Sequence, residues 1–507
     1  MNIEIMDTTL RDGEQTSGVS FTDKEKYTIA KQLLTDVGVD RIEIASARVS
    51  KGEFEAVTRI IKWAETTGFI TKIEVLGFID GTTSIDWISA AGGKCVNLLC
   101  KGSLKHLEGQ LKKTPQQHIE DIENVVIYAE GKGISTNIYL EDWSNGMRSS
   151  KEYVYFLIDA LKDTKIKRFM LPDTLGILNP TETYSFCKEM VERFPNLHFD
   201  YHGHNDYDLA VANSMMAIDA GVKGIHTSVN GLGERTGNTT LSSIVPALKD
   251  LSNVSVNVKE QYLTQISKLV EVISGIRVPV NKPIIGENVF TQTAGIHADG
   301  DKKGNLYQSK LLPERFGRTR KYALGKTSGK ANIQKNLEEL GLDLDQETIT
   351  KVTNKVIELG DKKKSITTED LPYIISEILG EMTIEDKVYI SNYYIAHAKG
   401  LKPVATISLE RNGQLFQETS AGDGQYNAFM NALHKIYAKF EVDLPILVDY
   451  IVTIPPGGKT DALVETIITW NFNGKIIKTR ALDPDQTAAA IKATSKMLNI
   501  LEHHESH

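Results

Sequence analysis

Ile3-Glu4-Ile5-Met6-Asp7-Thr8-Thr9-Leu10-Arg11-Asp12 begins as an apolar, strand-like run and ends on two charged side chains. Seven more strand-like runs follow before residue 235, at 41–45, 72–78, 95–100, 136–140, 168–173, 198–202 and 224–230. Segments with helical periodicity separate them; in the first, Tyr27, Ile29, Ala30, Leu33, Leu34 and Val37 share one face. Eight strands alternating with helices predict a parallel (β/α)8 TIM barrel, with a doubly wound open sheet as the alternative. Reactive-looking residues recur just past the strands: Arg11 and Asp12, Lys101, Glu141 and Asp142, Asp173 and Thr174, His202 and His204, then Glu234 to Asn238. A barrel gathers all of these at one mouth, whereas an open sheet strings them along an edge.

Local signals mark the helix ends. Thr22 with Glu25 forms a capping box. Thr114-Pro115-Gln116-Gln117 and Asn179-Pro180-Thr181-Glu182 each place a cap, a proline at the first helical position, and Gln or Glu at the third. Gly38, Gly68, Gly133 and Gly221 fall where helices should stop.

A length of 507 residues calls for more than one domain. We divide the chain into a catalytic barrel (1–270), a lid or linker segment completing the site (271–327), a helical linker subdomain (328–384) and a C-terminal α+β regulatory domain (385–507). The last reads as two ββα-like halves, with strands at 388–394, 403–409, 447–454 and 462–470 and helices at 425–440 and 485–498. The net charge of −8 argues against general nucleic-acid binding. Cys95, Cys100 and Cys187 are too few for a disulfide framework or a cysteine zinc site and read as reduced thiols of a cytoplasmic protein. No basic-then-apolar leader opens the sequence, and no apolar run approaches the roughly 20 residues of a spanning helix.

The chemistry is carried by two motifs far apart in sequence. Two histidines at i and i+2 on a strand, His202 and His204, point the same way. With Asp12 they offer two nitrogens and one oxygen, and Asn238 could add an amide oxygen. This mixed set suits zinc, manganese or magnesium, with positions left for substrate. Arg11 is a fixed cation that can polarise a ketone and stabilise the developing alkoxide, or else pair with a barrel carboxylate. Thr174 could hold a substrate carboxylate or simply cap a helix. The glycine-rich loop Asn230-Gly231-Leu232-Gly233-Glu234-Arg235-Thr236-Gly237-Asn238 lets backbone approach a ligand.

These residues resemble the 2-isopropylmalate, homocitrate and citramalate synthase family of the DRE-TIM metallolyase superfamily. The resemblance spans essentially the whole chain. Its first signature is Leu10-Arg11-Asp12-Gly13-Glu14-Gln15 followed by Lys26; its second surrounds the two histidines from Phe199 to Asn205. Asp208 stands where leucine-pathway members usually have glycine. Ala294-Gly295-Ile296-His297-Ala298-Asp299-Gly300 resembles the family's lid.

The resemblance implies a Claisen-type condensation of acetyl-CoA with a 2-oxo acid, aided by a divalent metal on Asp12, His202, His204 and Asn238. Arg11 would activate the ketone, and Glu141, Glu234, His297 and Tyr307 are the acid/base candidates. Segments around Leu76, Leu99 and Tyr139 look more like citramalate synthases. Those bulky side chains would fill the space of an isopropyl group and favour pyruvate over 2-oxoisovalerate. Arg315, Arg318, Arg320 and Lys321 could face the CoA phosphates. The C-terminal domain resembles the family's allosteric module, with Tyr426, Asn427, Leu447, Tyr450, Ile454 and Val464 as effector-binding residues. Isoleucine, or else leucine, is the expected inhibitor, and a homodimer the expected assembly. A carbon–carbon lyase of the same superfamily and an amino-acid-binding protein on an inactive barrel are the other readings; the long regulatory tail opposes the first, the complete metal and arginine set the second.

Overall fold

The computed structural model describes residues 1–294, 309–340, 342–361, 388–453, 464–472 and 474–504, with isolated positions between 306 and 378. They form two compact units, Met1–Thr291 with Gln308–Arg320, and Gln292–Tyr307 with Lys321–His507.

In the first unit eight parallel strands close into a barrel in sequence order: β1 (Glu4–Asp7), β2 (Arg41–Ser46), β3 (Ile73–Phe78), β4 (Cys95–Lys101), β5 (Ser135–Glu141), β6 (Ile166–Asp173), β7 (Phe199–Gly203) and β8 (Gly224–Thr227). Closure is the β1–β8 pairing, Glu4 to Gly224 through Asp7 to Thr227. The open sheet is thereby excluded. All three capping boxes form, at Thr22, Thr114 and Asn179. Gly38, Gly68, Gly133 and Gly221 all have positive φ at helix ends, the conformation a side chain would strain.

The main core lies between the strands' outward residues and the helices, for example Ile44, Val75, Leu98 and Ile138 against Ile60, Ile88 and Ile122. Phe316 from the 309–320 stretch is fully buried in it and stacks on Phe290. The barrel interior is polar by contrast. Arg41 pairs with Glu4 and Glu74 at 3.1 and 2.9 Å and with Asp200, and Arg168 reaches Glu4 at 2.8 Å. Each buried charge here has a partner, which its burial requires.

The second unit holds a small helical core around Ile333, Leu337, Val352 and Val356, on helices Lys330–Leu340 and Gln346–Asp361. It also holds an α+β part. The halves are βββα rather than ββα. The strands Val388–Ala396, Val404–Arg411 and Gln414–Ala421 precede helix Gln425–Ala438; Ile446–Thr453, Val464–Phe472 and Lys475–Asp483 precede helix Gln486–His504. The unanticipated third strand of each half lies at a sheet edge, where one face stays open to solvent and tolerates Gln, Glu and Lys. The three cysteines are free, as expected. Among the described residues no helix is long and apolar enough to cross a membrane.

Candidate active site

Past β1 the chain turns tightly, with the Thr8 carbonyl accepting from the amides of Arg11, Asp12 and Gly13. The turn is locked to β8 by Thr8 N–H donating to the Thr227 carbonyl at 2.8 Å and Val229 N–H donating to Thr9 Oγ1 at 2.8 Å. From below it is held by Lys26, fully buried, whose Nζ lies 2.7 Å from Glu14 and 2.6 Å from Glu53 and donates to the carbonyls of Leu10 and Ile44. The turn delivers Asp12 to the end of β7.

There three donor atoms converge. Asp12 Oδ2 is 3.2 Å from His202 Nε2 and 3.7 Å from His204 Nε2, and the two nitrogens are 3.4 Å apart. A divalent ion about 2.0–2.2 Å from each donor would space them about 2.8–3.6 Å apart in octahedral or tetrahedral geometry. All three residues are buried, and Asp12 Oδ2 has no hydrogen-bond donor in the described structure. Burial raises the Asp12 carboxyl, but the Arg11 charge and the His202 contact outweigh it and hold it well below the usual range. Burial lowers both histidines, His204 to about 4, leaving neutral imidazoles fit for ligation. The residues therefore fit a metal. Asn238 joins them: it bridges to His204, is buried, and has an unpartnered Oδ1. Its loop covers Asp12, with Glu234 N–H donating to Asp12 Oδ1 at 3.2 Å. At Gly237, φ is +82° and a Cβ would lie 1.7 Å from the Gly231 carbonyl, so the loop closes only with glycine.

Arg11 is held at three points. Nε donates to Glu43 at 2.5 Å, Nη2 to the Tyr139 hydroxyl at 3.3 Å, and Nη1 lies 3.4 Å from Asp12 Oδ2. Arg11 thus pairs with a barrel carboxylate, Glu43, and also lies against Asp12 of the ligand set. Glu43 was not expected. Its signal is a charge at every second position of β2, Arg41 and Glu43, which alternation turns inward.

Beside this face is an apolar shelf separate from the main core. Met6, Leu76, Tyr139 and Met170 are buried together, with Leu99 packed on them. The Tyr139 ring stands edge-on to His202, centroids 5.9 Å apart. Thr174 is half-buried, and its Oγ1 accepts from Asp142 N–H at 2.9 Å. Glu141 ends β5 in an ion pair with Lys101. The Glu234 side chain is mostly exposed, 3.5 Å from Arg235. His297, Tyr307 and Ile454 lie outside the described residues, as does most of the lid segment.

The proposed phosphate patch is not borne out at two of its members. Arg315 is spent on Asp250 and Glu260, and Arg318 on the carbonyls of Ile284, Gly286 and Glu287. Those carboxylates and carbonyls belong to upstream segments, around 250–260 and 284–287, against which the arginine-bearing loop packs.

In the second unit Tyr426 meets Tyr450, ring centroids 5.4 Å apart, and its hydroxyl lies 2.7 Å from Thr494 Oγ1. Asn427 Oδ1 accepts from Asp423 N–H. Strand register sets Leu447 opposite Trp470 and Thr453 opposite Glu465, so Leu447 and Val464 sit at opposite ends of their strand pair.

A closed (β/α)8 barrel with a buried Asp–His–His face and a clamped arginine at its mouth defines a barrel enzyme equipped for a divalent cation. Residues 2–270 match the HMGL-like family, 284–364 the homocitrate synthase post-HMGL domain-like family, and 365–502 the LeuA allosteric (dimerisation) domain. The chain is 33% identical to the putative (R)-citramalate synthase of Methanopyrus kandleri, over 98% of this chain and 96% of that protein. It is 35% identical to the probable 2-isopropylmalate synthase of the same organism, over 98% of both. With the (R)-citramalate synthase of Methanocaldococcus jannaschii it shares 34%, over 99% of this chain and 100% of the relative. The chain belongs to the HMGL-like family, in its branch of citramalate and 2-isopropylmalate synthases, acyltransferases that condense acetyl-CoA with a 2-oxo acid.

Proposed function

We propose that this enzyme condenses acetyl-CoA with pyruvate to give (R)-citramalate and CoA, the entry to the pyruvate route to isoleucine. The observation that carries this reading is the shelf: Leu76 and Tyr139 are buried beside the ligand face with Met6 and Met170. A methyl group fits against such a surface more readily than a branched one. 2-Isopropylmalate synthase is the second reading, favoured by a relative of that kind at 35% identity.

When bound, a divalent cation on Asp12, His202, His204 and Asn238 would act as a Lewis acid toward the oxo acid's carboxylate and ketone. The Arg11 guanidinium, fixed by Glu43 and Tyr139, faces the negative charge that grows on the ketone oxygen. The Thr174 hydroxyl accepts from Asp142 N–H and keeps its own proton to donate to the substrate carboxylate. Glu141, Glu234, His297 and Tyr307 are the candidates for removing a proton from the acetyl methyl group. The resulting carbanion forms a bond to C2, the C=O π pair moves to oxygen and is protonated, and water then cleaves the thioester to release CoA.

For the C-terminal domain we propose binding of isoleucine, or else leucine, through Tyr426, Asn427, Leu447, Tyr450, Ile454 and Val464. A homodimer accords with the apolar side chains left exposed there, including Tyr389, Tyr394, Ile446 and Val448. With Leu447 and Val464 at opposite ends of one strand pair, a single effector pocket draws on residues from more than one copy.

The test is CoA release from acetyl-CoA with pyruvate, 2-oxobutyrate, 2-oxoisovalerate and 2-oxoglutarate in parallel, with manganese or zinc present. A clear preference for pyruvate is expected. Preference for 2-oxoisovalerate overturns the pocket argument and selects the second reading.

A further inference from the structure

His226 on β8 has no role in the steps above, yet it is fully buried within the barrel and bonded on both sides. Its Nε2 lies 3.3 Å from Asp200 Oδ2, and its Nδ1 lies 3.0 Å from the Tyr139 hydroxyl. Asp200 also receives Arg41 on Oδ2, and His198 Nε2 lies 2.9 Å from its Oδ1. An ionised carboxylate only accepts, so the proton of a neutral His226 sits on Nε2 and Nδ1 is an acceptor.

The Tyr139 hydroxyl has one proton and two possible acceptors, His226 Nδ1 at 3.0 Å and Glu43 Oε2 at 3.3 Å. Glu43 Oε2 already accepts from Arg11 Nε, and Oε1 accepts from Asn97 Nδ2 at 2.7 Å. Among the described residues, His226 Nδ1 has no other donor if Nε2 carries the ring proton. The tyrosine proton therefore goes to His226, and the phenol oxygen presents a lone pair to Arg11 Nη2. Without the His226 acceptor the O–H turns to Glu43 Oε2 and competes there with Arg11 Nε.

We propose that His226 is a positioning residue: with Asp200 behind it, it sets the direction of the Tyr139 O–H and so keeps both outer contacts of the Arg11 clamp. The kinetic consequence rests on the condensation reading; the hydrogen-bond geometry does not.

The test compares two isosteres in the full-length enzyme. His226→Gln keeps a donor toward Asp200 but no acceptor for Tyr139. His226→Asn keeps an amide oxygen near the Nδ1 position. His226→Gln is expected to lower kcat/KM for the 2-oxo acid about tenfold with the KM for acetyl-CoA unchanged, and His226→Asn to restore most of the loss. In a Tyr139→Phe background, adding His226→Gln should cost nothing further. Equal losses in both backgrounds, or equal losses in the two isosteres, would overturn the proposal. A second readout does not need turnover. In protein labelled with ring-15N histidine, the His226 signals, assigned by their disappearance in His226→Gln, should report an Nε2–H tautomer whose Nδ1 resonance moves in Tyr139→Phe. An Nδ1–H tautomer, or an Nδ1 resonance indifferent to Tyr139→Phe, would refute the geometry. Wild-type inactivity toward every oxo acid would instead end the functional reading and leave this arm to decide the inference.

Discussion

Leu76→Ala separates a selective shelf from a packed barrel. Leu76 is 5% exposed and belongs to the small cluster with Met6, Tyr139 and Met170 rather than to the main core. The substitution removes three carbons, worth roughly 2.4 kcal/mol of transfer free energy at about 0.8 kcal/mol per buried methylene. With a residual cavity the loss of stability should reach about 2–4 kcal/mol. The space released is about that of the two methyl groups distinguishing 2-oxoisovalerate from pyruvate, and a pocket discriminates at about 1–3 kcal/mol per carbon. The ratio of kcat/KM values, pyruvate over 2-oxoisovalerate, should therefore fall by at least roughly 10-fold. The assay is thiol release from acetyl-CoA with each oxo acid in turn, alongside a thermal melt. Val75→Ala is the control, since Val75 precedes Leu76 on β3 but packs in the main core; it should lower the melting temperature and leave the ratio alone. An unchanged ratio in folded Leu76→Ala, or an equal shift in Val75→Ala, would refute the shelf as the selector.

Chelation should abolish CoA release, and manganese or zinc should restore it; His204→Ala should also lose the cobalt(II) absorption that the wild-type site develops on titration. Lys26→Met leaves the buried Glu53 and the half-buried Glu14 without their cation and should destabilise the barrel by about 3–5 kcal/mol in a denaturant melt. Asp7 is buried, and desolvation, only partly opposed by Thr9, raises its carboxyl to about 7. Between the ordinary carboxylate range and about pH 7 the folded chain thus holds a proton that the unfolded chain releases, so stability falls as pH rises across that window. Asp7→Asn should remove this slope and be the more stable protein at pH 8, by up to roughly 4 kcal/mol; a parallel decline in both proteins would contradict it. Millimolar isoleucine should inhibit the wild type, and Tyr450→Ala should weaken that inhibition at unchanged basal turnover.

The barrel was legible because its signals are local. Each strand is a short apolar run, three of the helices begin at a capping box whose partners are three residues apart, and four helix ends carry a glycine at positive φ. The ligand face was legible because His202 and His204 share strand parity. What stayed hidden depends on partners distant in sequence: Glu43 meets Arg11 across 32 residues, His226 meets Tyr139 across 87, and Arg41 meets Asp200 across 159. The basic run misled for the same reason, since Asp250 and Glu260 lie far upstream of Arg315. The departure at Asp208 has a backbone meaning: its φ is +60°, a conformation natural to the glycine usual in leucine-pathway members and tolerable for Asp, whose carboxylate accepts from Asn205 Nδ2 at 3.0 Å.

In the proposed reaction, selection by size and activation by charge meet at Tyr139. Its ring completes the shelf with Leu76 and Met170, while its hydroxyl joins Arg11 to His226. The two functions are separable, because phenylalanine keeps the ring and drops only the oxygen. Tyr139→Phe should then lower kcat/KM for pyruvate, 2-oxobutyrate and 2-oxoisovalerate by a common factor of about ten, the worth of one buried hydrogen bond to a charged group. Leu76→Ala should do the opposite, reordering the three substrates without a uniform loss. If Tyr139→Phe also reorders them, the hydroxyl itself contacts the substrate's side chain and the clamp on Arg11 is not its main work; if it changes nothing, Glu43 alone holds the guanidinium.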